Sequence, residues 1–207
     1  MNRAISSTFV DAIGIRTFSS PFAVRSASVL FIAALTAAAA QVSVPLPFTQ
    51  VPFTLQPMVV LLGGLALGSR LGAASQALYL ALGIAGLPVF AASPALAPGL
   101  LRLLGPTGGY LMSYPLAAFL VGALAERGFD RRYVSSVVAM IIGLLLIYAA
   151  GAMWLAFFAR TATTGTVGLP TALATGVMPF LPADLVKVCF AAAILPGLWR
   201  LLGRQAQ

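Results

Sequence analysis

The chain has 207 residues, of which 60% are hydrophobic and 8% are charged, and its mean hydropathy is +1.02. Soluble domains carry about 25% charged residues, so this composition excludes an ordinary soluble protein and predicts an integral membrane protein. The formal charge of +8 comes mainly from arginines scattered between apolar segments, which indicates a positive-inside bias rather than a nucleic-acid surface.

Six membrane spans are predicted within one domain, residues 22–200, because each crossing of a hydrocarbon core of about 30 Å needs about 20 apolar residues. In chain order they cover residues 22–42, 57–68, 71–87, 106–124, 133–158 and 182–199. The second is only about 18 Å long at the helical rise, so it must be short or borrow from the preceding loop. Residues 1–21 lack the apolar core of a signal peptide and are interpreted as a cytoplasmic tail, as are residues 201–207.

Two proline-rich loops separate the early spans. Residues 41–57, QVSVPLPFTQVPFTLQP, contain too much proline for continuous helix. Residues 88–109, PVFAASPALAPGLLRLLGPTGG, are expected to form a structured outer loop, and the length of that loop suggests a lid.

The distribution of basic residues predicts the orientation. Nine arginines fall on one side of the six spans, only Arg102 and Arg160 fall on the other, and Lys187 lies within a span. This bias places both termini in the cytoplasm. The second, fourth and sixth spans then begin at the outer face, where converging helix N-termini favour an anionic group and Arg102 adds a positive charge.

Asp184 and Lys187 lie three residues apart in the last apolar run, PFLPADLVKVCFAAAILPGLW, and share one helix face. Ionisable groups within a membrane are costly unless they are paired or hydrated, so the two residues indicate a binding or transport site. The alternatives are that Asp184 stabilises the N-terminus of the helix and that Lys187 snorkels or serves as a structural ion-pair partner.

Four segments carry a resemblance to a known family: PFTLQP at 52–57, GLPVFA at 86–91, GPTGGYL at 105–111 and PFLPADLVK at 179–187. In order and spacing they resemble the BioY family, the biotin-specific substrate-binding (S) component of energy-coupling factor (ECF) transporters. The combination of GPTGGY with P-x-D-x-x-K is specific, whereas either alone is weak.

The resemblance implies an all-α, S-component-like bundle of six transmembrane helices in the cytoplasmic membrane of a prokaryote. It also implies partners, namely a transmembrane coupling subunit and two ATPase subunits. The sole lysine follows Val186 and therefore cannot belong to a Walker A loop, so any ATP-driven step belongs to those partners. Biotin is then the transported ligand, and no cofactor is expected.

Biotin combines a ureido ring, an apolar thioether ring and a carboxylate, so its site needs polar tips and apolar walls. By similarity to the family, Asp184 would accept from the ureido N–H groups and Lys187 would donate to an oxygen. The other candidate contacts are Phe53, Thr54, Gln56, Phe90, Arg102, Gly105, Thr107, Gly108, Gly109 and Tyr110. The alternatives are capping of the second span for Thr54 and Gln56, helix packing for the glycines, and a solvated loop position for Arg102.

The first span contains two pairs of alanines at four-residue spacing, Ala33 with Ala37 and Ala34 with Ala38. Such spacing places small residues on one face and lets another helix approach closely. The resemblance implies that this face docks the coupling subunit, and the alternative is packing within the bundle itself.

Two other classes of function, a membrane enzyme and a secondary carrier, are the alternatives to a substrate-binding component. A membrane enzyme would ordinarily need a histidine or a metal site, and this chain has no histidine and a single cysteine, Cys189, which we expect to pack between helices. A secondary carrier is harder to exclude, since an Asp–Lys pair within the membrane could couple to protons. A different vitamin as the ligand is the alternative within the same class.

Overall fold

The computed structural model describes residues 8–10, 20–92, 97–159 and 167–204, with side chains as far as residue 201. Most of the predicted N-terminal tail, residues 1–21, lies outside this part of the chain. Arg160, which was expected on the outer side, also lies outside it. The predicted C-terminal tail, residues 201–207, is described as far as residue 204, where it continues the last helix.

The described chain is mostly helical. Its helices are α1 (Pro21–Gln41), α2 (Gln56–Leu67), α3 (Ser69–Ile84), α4 (Leu100–Leu104), α5 (Gly108–Ala125), α6 (Tyr133–Phe157), α7 (Leu169–Gly176), α8 (Leu181–Ala191) and α9 (Ile194–Arg204). Two short strands, β1 (Ser43–Val44) and β2 (Phe53–Thr54), pair antiparallel in the loop between α1 and α2. The sequence did not predict α4, α7 or the strand pair.

Local sequence explains where the first helices begin and end. Pro21 occupies the first turn of α1, where its missing N–H is harmless, and Ser20 Oγ accepts a hydrogen bond from the backbone N–H of Ala23 at 3.4 Å. Gly68 has a φ of 82°, a conformation that glycine adopts without strain. It therefore separates α2 from α3 with a sharp turn.

Four described helical segments are long and apolar enough to cross a membrane: Pro21–Gln41, Gly108–Ala125, Tyr133–Phe157 and Leu181–Leu201. Helices α2 and α3 have only 12 and 16 residues. At the helical rise they are about 18 Å and 24 Å long, less than the hydrocarbon thickness of about 30 Å. The chain is a multi-pass membrane protein, and four spans within its described residues meet these criteria.

The last predicted span differs from the continuous helix expected over residues 182–199. Helix α8 ends at Ala191 and α9 begins at Ile194. Pro196 has no N–H to donate to the carbonyl of Ala192, and its ring clashes with that carbonyl in a regular helix, which accounts for the break.

Helix α5 is central and packs against α2, α3 and α6. Small residues permit this close packing, since a Cβ atom added at Gly64 would lie 2.6 Å from the carbonyl oxygen of Ala118. The largest side chains of the interior include Leu61, Leu65, Met140 and Ile147. Many large apolar side chains are exposed on the outside of the bundle, as hydrocarbon requires.

Cys189 is exposed, so the expectation that it packs between helices is wrong. The buried face of α8 carries Asp184, Val188 and Ala191. Because successive helical residues are rotated by about 100°, Cys189 lies away from that face, toward the outside of the bundle.

Candidate functional site

A cavity lies among β2, the segment before α4, the first turns of α5, the middle of α6 and the start of α8. Its empty space, including the open mouth, is about 610 Å³. Eight of the sequence-predicted contacts line it: Phe53, Thr54, Gln56, Phe90, Arg102, Thr107, Tyr110 and Asp184. Residues that are far apart in the sequence are thus brought to one place.

Asp184 lies in the first turn of α8 and is 5% exposed. Its Oδ1 accepts a hydrogen bond from Lys187 Nζ at 2.7 Å, and its Oδ2 accepts one from Tyr148 Oη at 2.6 Å. A buried carboxylate is tolerated when it is paired in this way. Because a carboxylate offers about four lone-pair sites, Asp184 can still accept from a ligand.

Lys187 is not among the residues that line the cavity, but it contacts three that are. Its Nζ donates to Asp184 Oδ1 and to the backbone carbonyl of Thr54, both at 2.7 Å, and lies 3.6 Å from the centroid of the Phe53 ring. An ammonium group over an aromatic face is favourable. Lys187 therefore positions three wall residues, and the structural ion pair that was considered as an alternative is present.

Thr107 contributes a polar group whose hydrogen bonding is incomplete. Its side chain is buried at the start of α5, and among the described residues its Oγ1 has no hydrogen-bond partner. An unsatisfied buried hydroxyl costs about 1–3 kcal/mol, so this atom is suited to bind a ligand that supplies the missing partner. Neighbouring Tyr110 differs, because its hydroxyl already donates to the carbonyl of Gly176 at 2.8 Å and leaves its ring as an apolar wall.

Gln56 and Thr54 form a buried hydrogen-bonded pair beside the cavity. Gln56 Nε2 donates to Tyr79 Oη at 2.6 Å, and Gln56 Oε1 accepts from Thr54 Oγ1 at 3.3 Å. Thr54 Oγ1 also accepts from the backbone N–H of Gln56, as expected of a residue that precedes a helix. Thr54 therefore satisfies one of the free N–H groups in the first turn of α2, and both residues line the cavity.

The three glycines of the GPTGGY segment pack against protein and lie outside the cavity lining. A Cβ atom at Gly108 would collide with the backbone of Leu103, and one at Gly109 would collide with Trp154. The carbonyl of Gly105 accepts from Trp154 Nε1 at 2.9 Å. These contacts agree with the helix-packing alternative.

Arg102 is 6% exposed, so it does not occupy a solvated loop position. Its Nε donates to the carbonyl of Ala97 at 3.0 Å and its Nη2 donates to that of Ala91 at 2.9 Å. Burial lowers the pKa of Arg102 from its usual value. A guanidinium has five N–H donors, so others remain for an anion.

Sequence reasoning missed Tyr114 and Tyr148, whose rings also line the cavity. Tyr148 lies in the middle of the apolar helix α6, far from the helix ends where tyrosines of membrane proteins are usually found. That unusual depth was the signal that could have identified it.

The alanine pairs of α1 point in different directions. Ala33 is 2% exposed, and Ala37 is half-buried against the core. Ala34 and Ala38 are exposed on the outside of the bundle. The first pair therefore serves packing within the bundle, and only the second pair offers an external surface.

Comparisons with known proteins give a consistent result. The statistical model of the BioY family matches residues 13–204. A probable biotin transporter BioY of Pyrococcus horikoshii is 43% identical over 165 residues, which cover 80% of this chain and 89% of the relative. The biotin transporter BioY of Thermotoga maritima is 38% identical over 168 residues, with coverage of 81% and 91%.

The fold also resembles a solved structure, the S-component for biotin from an ECF-type ABC transporter. The TM-score is 0.76 at 25% sequence identity, and the match covers 89% of this chain and 95% of that one. The family match spans most of the chain and includes every residue that lines the cavity. This chain belongs to the BioY family.

Proposed function

We propose that this chain is the substrate-capture subunit of an ECF-type vitamin uptake transporter and that it binds biotin in the cavity described above. The observation that carries the proposal is the composition of the cavity wall, which is apolar except for a few groups, Asp184, Thr107 and Arg102 among them. The names of its relatives and the solved biotin S-component support the choice of biotin. The chain performs no chemistry on this ligand.

The polar groups of the wall match the chemistry of biotin. Asp184 accepts hydrogen bonds and suits the ureido N–H groups, while Thr107 Oγ1 can complete its hydrogen bonding with the same ring. Phe53, Phe90 and Tyr110 offer aromatic surfaces to the thioether ring. Arg102 contributes a cation for the carboxylate of the valeryl chain.

The topology proposed for transport has six spans and both termini in the cytoplasmic compartment of a prokaryotic cell. In this arrangement α2 and α3 form short spans, and α8 with α9 forms the sixth. The bias of the basic residues supports the orientation, and the solved S-component supports the bundle. The cavity then opens near the outer face.

The proposed partners are a transmembrane coupling subunit and two ATPases. The exposed alanines Ala34 and Ala38 on α1 are the proposed docking surface, because small residues admit a second helix at close range. Any free energy from ATP must enter through these partners, since the sequence has no Walker A loop.

A ligand panel tests the function. Titration calorimetry of the purified protein in detergent with biotin, desthiobiotin, thiamine and riboflavin should give tight binding of biotin, weaker binding of desthiobiotin, and none of the other two. Binding of thiamine or riboflavin in the absence of biotin binding would overturn the choice of vitamin. Biotin uptake into liposomes that contain this chain alone would instead establish a secondary carrier.

A further inference from the structure

The segment at residues 88–92, between α3 and α4, closes one side of the cavity with Phe90 and Ala91. Each of its five backbone carbonyls accepts a hydrogen bond from a side chain of another segment. These bonds run from Gln41 Nε2 to Pro88 at 3.2 Å and to Phe90 at 3.4 Å, from Tyr79 Oη to Val89 at 3.2 Å, from Arg102 Nη2 to Ala91 at 2.9 Å, and from Ser43 Oγ to Ala92 at 3.3 Å. Side chains from α1, β1, α3 and α4 therefore hold one stretch of backbone.

This mode of attachment is suited to release. The segment belongs to neither a helix nor the strand pair, and water can replace side-chain donors at a carbonyl with little net change in free energy. Gly86 precedes the segment with a φ of 93°, and glycine can leave this conformation more freely than other residues. The backbone can thus turn at Gly86 when the bonds break.

Phe90 occupies a defined position when the segment is in place. Its ring contacts the backbone at Gly83, where the added Cβ of any other residue would collide with the ring. The ring also lies edge-to-face with Tyr79, with 5.6 Å between the ring centroids. The closed position of Phe90 is therefore specific.

We propose that residues 88–92 form the gate through which the ligand enters and leaves, and that Gln41 and Ser43 are positioning residues that hold this gate shut. The inference rests on the proposed function of the cavity as the biotin site. Gln41 and Ser43 lie outside the cavity lining, at the end of α1 and in β1. Changing them alters the gate without removing a ligand contact.

The gate predicts a particular kinetic pattern. Because Gln41 and Ser43 lie outside the cavity lining, we expect the loss of one of their bonds to favour the open form equally with and without the ligand. Association and dissociation of biotin should then accelerate by the same factor, about threefold to tenfold for one bond of ordinary strength. The Kd should stay within about twofold of the original value. A residue that contacts the ligand would instead change dissociation and Kd together.

The experiment compares Gln41→Met, which keeps the side-chain length but removes the donor, and Ser43→Ala with the unchanged protein. Ser135→Ala is the matched control, because Ser135 Oγ also donates to a loop carbonyl, that of Phe129 at 2.9 Å, in the turn between α5 and α6. Rapid filtration with radiolabelled biotin in detergent gives both rate constants and the Kd, and a thermal melt confirms that each variant is folded.

Equal acceleration of both rates in the two gate variants, with the control unchanged, supports the proposal. Unchanged rates in both variants, faster dissociation with a weaker Kd, or equal acceleration in Ser135→Ala would each overturn it. Ser43→Ala removes only one hydroxyl and keeps the test decisive if Gln41→Met fails to fold. If the unchanged protein binds another vitamin instead of biotin, only the choice of ligand fails, and the same rates are measured with that vitamin.

Discussion

Asp184 is a buried anion, and its neighbours determine how much free energy its burial costs. Lys187 and Tyr148 each donate to one of its oxygens, and Lys187 also donates to the carbonyl of Thr54. Removing one member of a buried ion pair typically costs about 3–5 kcal/mol, because the remaining charge loses its compensation. The two charged residues therefore act as one unit, although only Asp184 lines the cavity.

Exchange of either charge tests this unit. Asp184→Asn should weaken biotin binding about 10-fold to 100-fold, since hydrogen bonds to a charged group contribute about 1.5–3 kcal/mol. Lys187→Ala should also weaken binding, but it should weaken binding less when Asp184 is already Asn, because part of its effect passes through that carboxylate. Calorimetry in detergent measures all three variants. Unchanged affinity in Asp184→Asn, or fully additive losses, would contradict this interpretation.

Thr107 offers a test in which stability and binding change in opposite senses. Thr107→Val removes a buried hydroxyl that has no partner among the described residues, so the empty protein should melt at the same temperature or higher. Biotin affinity should fall about fivefold, the value of one ordinary hydrogen bond. Calorimetry and thermal melting measure the two effects.

The matched control for Thr107→Val is Thr36→Val. Thr36 Oγ1 donates to the carbonyl of Ile32 at 2.8 Å and accepts from Gln76 Nε2 at 3.2 Å, away from the cavity lining. This variant should lower the melting temperature and leave biotin affinity unchanged. Equal affinity of Thr107→Val and the unchanged protein would show that the Thr107 hydroxyl does not contact the ligand.

At the residue scale, the sequence predicted which polar residues lie near the cavity more reliably than it predicted where their side chains point. Asp184 was predicted because a charged residue in an apolar run is conspicuous, and Thr107 and Gln56 were predicted from the segments that resemble the family; all three line the cavity. The sequence did not predict that Lys187 Nζ donates to the Thr54 carbonyl, a contact between residues 133 positions apart. Contacts at such separation depend on tertiary packing, which motif spacing does not reveal.

At the scale of elements, α1 combines an inner and an outer face. Ala33 and Thr36 are buried, whereas Ala34 and Ala38 are exposed. Both alanine pairs have the same spacing, so the spacing alone could not tell which pair points outward. The orientation follows from the neighbours that α1 meets, chiefly α3 and α2.

The two faces of α1 predict different outcomes for the same substitution. Ala34→Trp should leave biotin binding in detergent intact but prevent uptake and co-purification with the coupling subunit, because a bulky ring blocks close helix approach. Ala33→Trp should destabilise the isolated protein, since position 33 is 2% exposed and has no room for a larger side chain. Pull-down with the coupling subunit and thermal melting distinguish the two. An intact complex with Ala34→Trp would refute the docking surface.

The boundaries of helices were predicted closely where an apolar run is bordered by a hydrophilic turn. Helix α6 was expected over residues 133–158 and spans Tyr133–Phe157, because the hydrophilic turn before it marks its start. The strand pair, α4 and α7 lie in loops whose prolines and glycines suggested irregular backbone. Their short runs of backbone hydrogen bonds are stabilised by tertiary contacts, so local propensity gave no signal for them.

On the scale of the whole molecule, composition alone was enough to predict a helical membrane protein. Backbone N–H and C=O groups in hydrocarbon must bond to each other, and a helix satisfies all of them within one segment. Four spans meet the length requirement within the described residues, and α2 and α3 do not. Hydropathy cannot assign such short helices to the membrane. Whether a helix this short lies within the hydrocarbon depends on the neighbouring segments that surround it, and hydropathy does not describe those neighbours. The central position of α5 likewise results from packing among several helices.

The position of Gln41 on α1 has a consequence for assembly. Ala34, Ala38 and Gln41 follow one another at intervals of four and three residues and therefore share one stripe of the helix. A partner packed along this stripe would meet a different surface at the C-terminal end of α1 when Gln41 releases Pro88 and Phe90. A partner that prefers the released Gln41 would favour the open gate, and by reciprocity opening the gate would strengthen the binding of that partner by the same factor. A helix docked on α1 would thus change how fast biotin enters and leaves the cavity, through a single amide group.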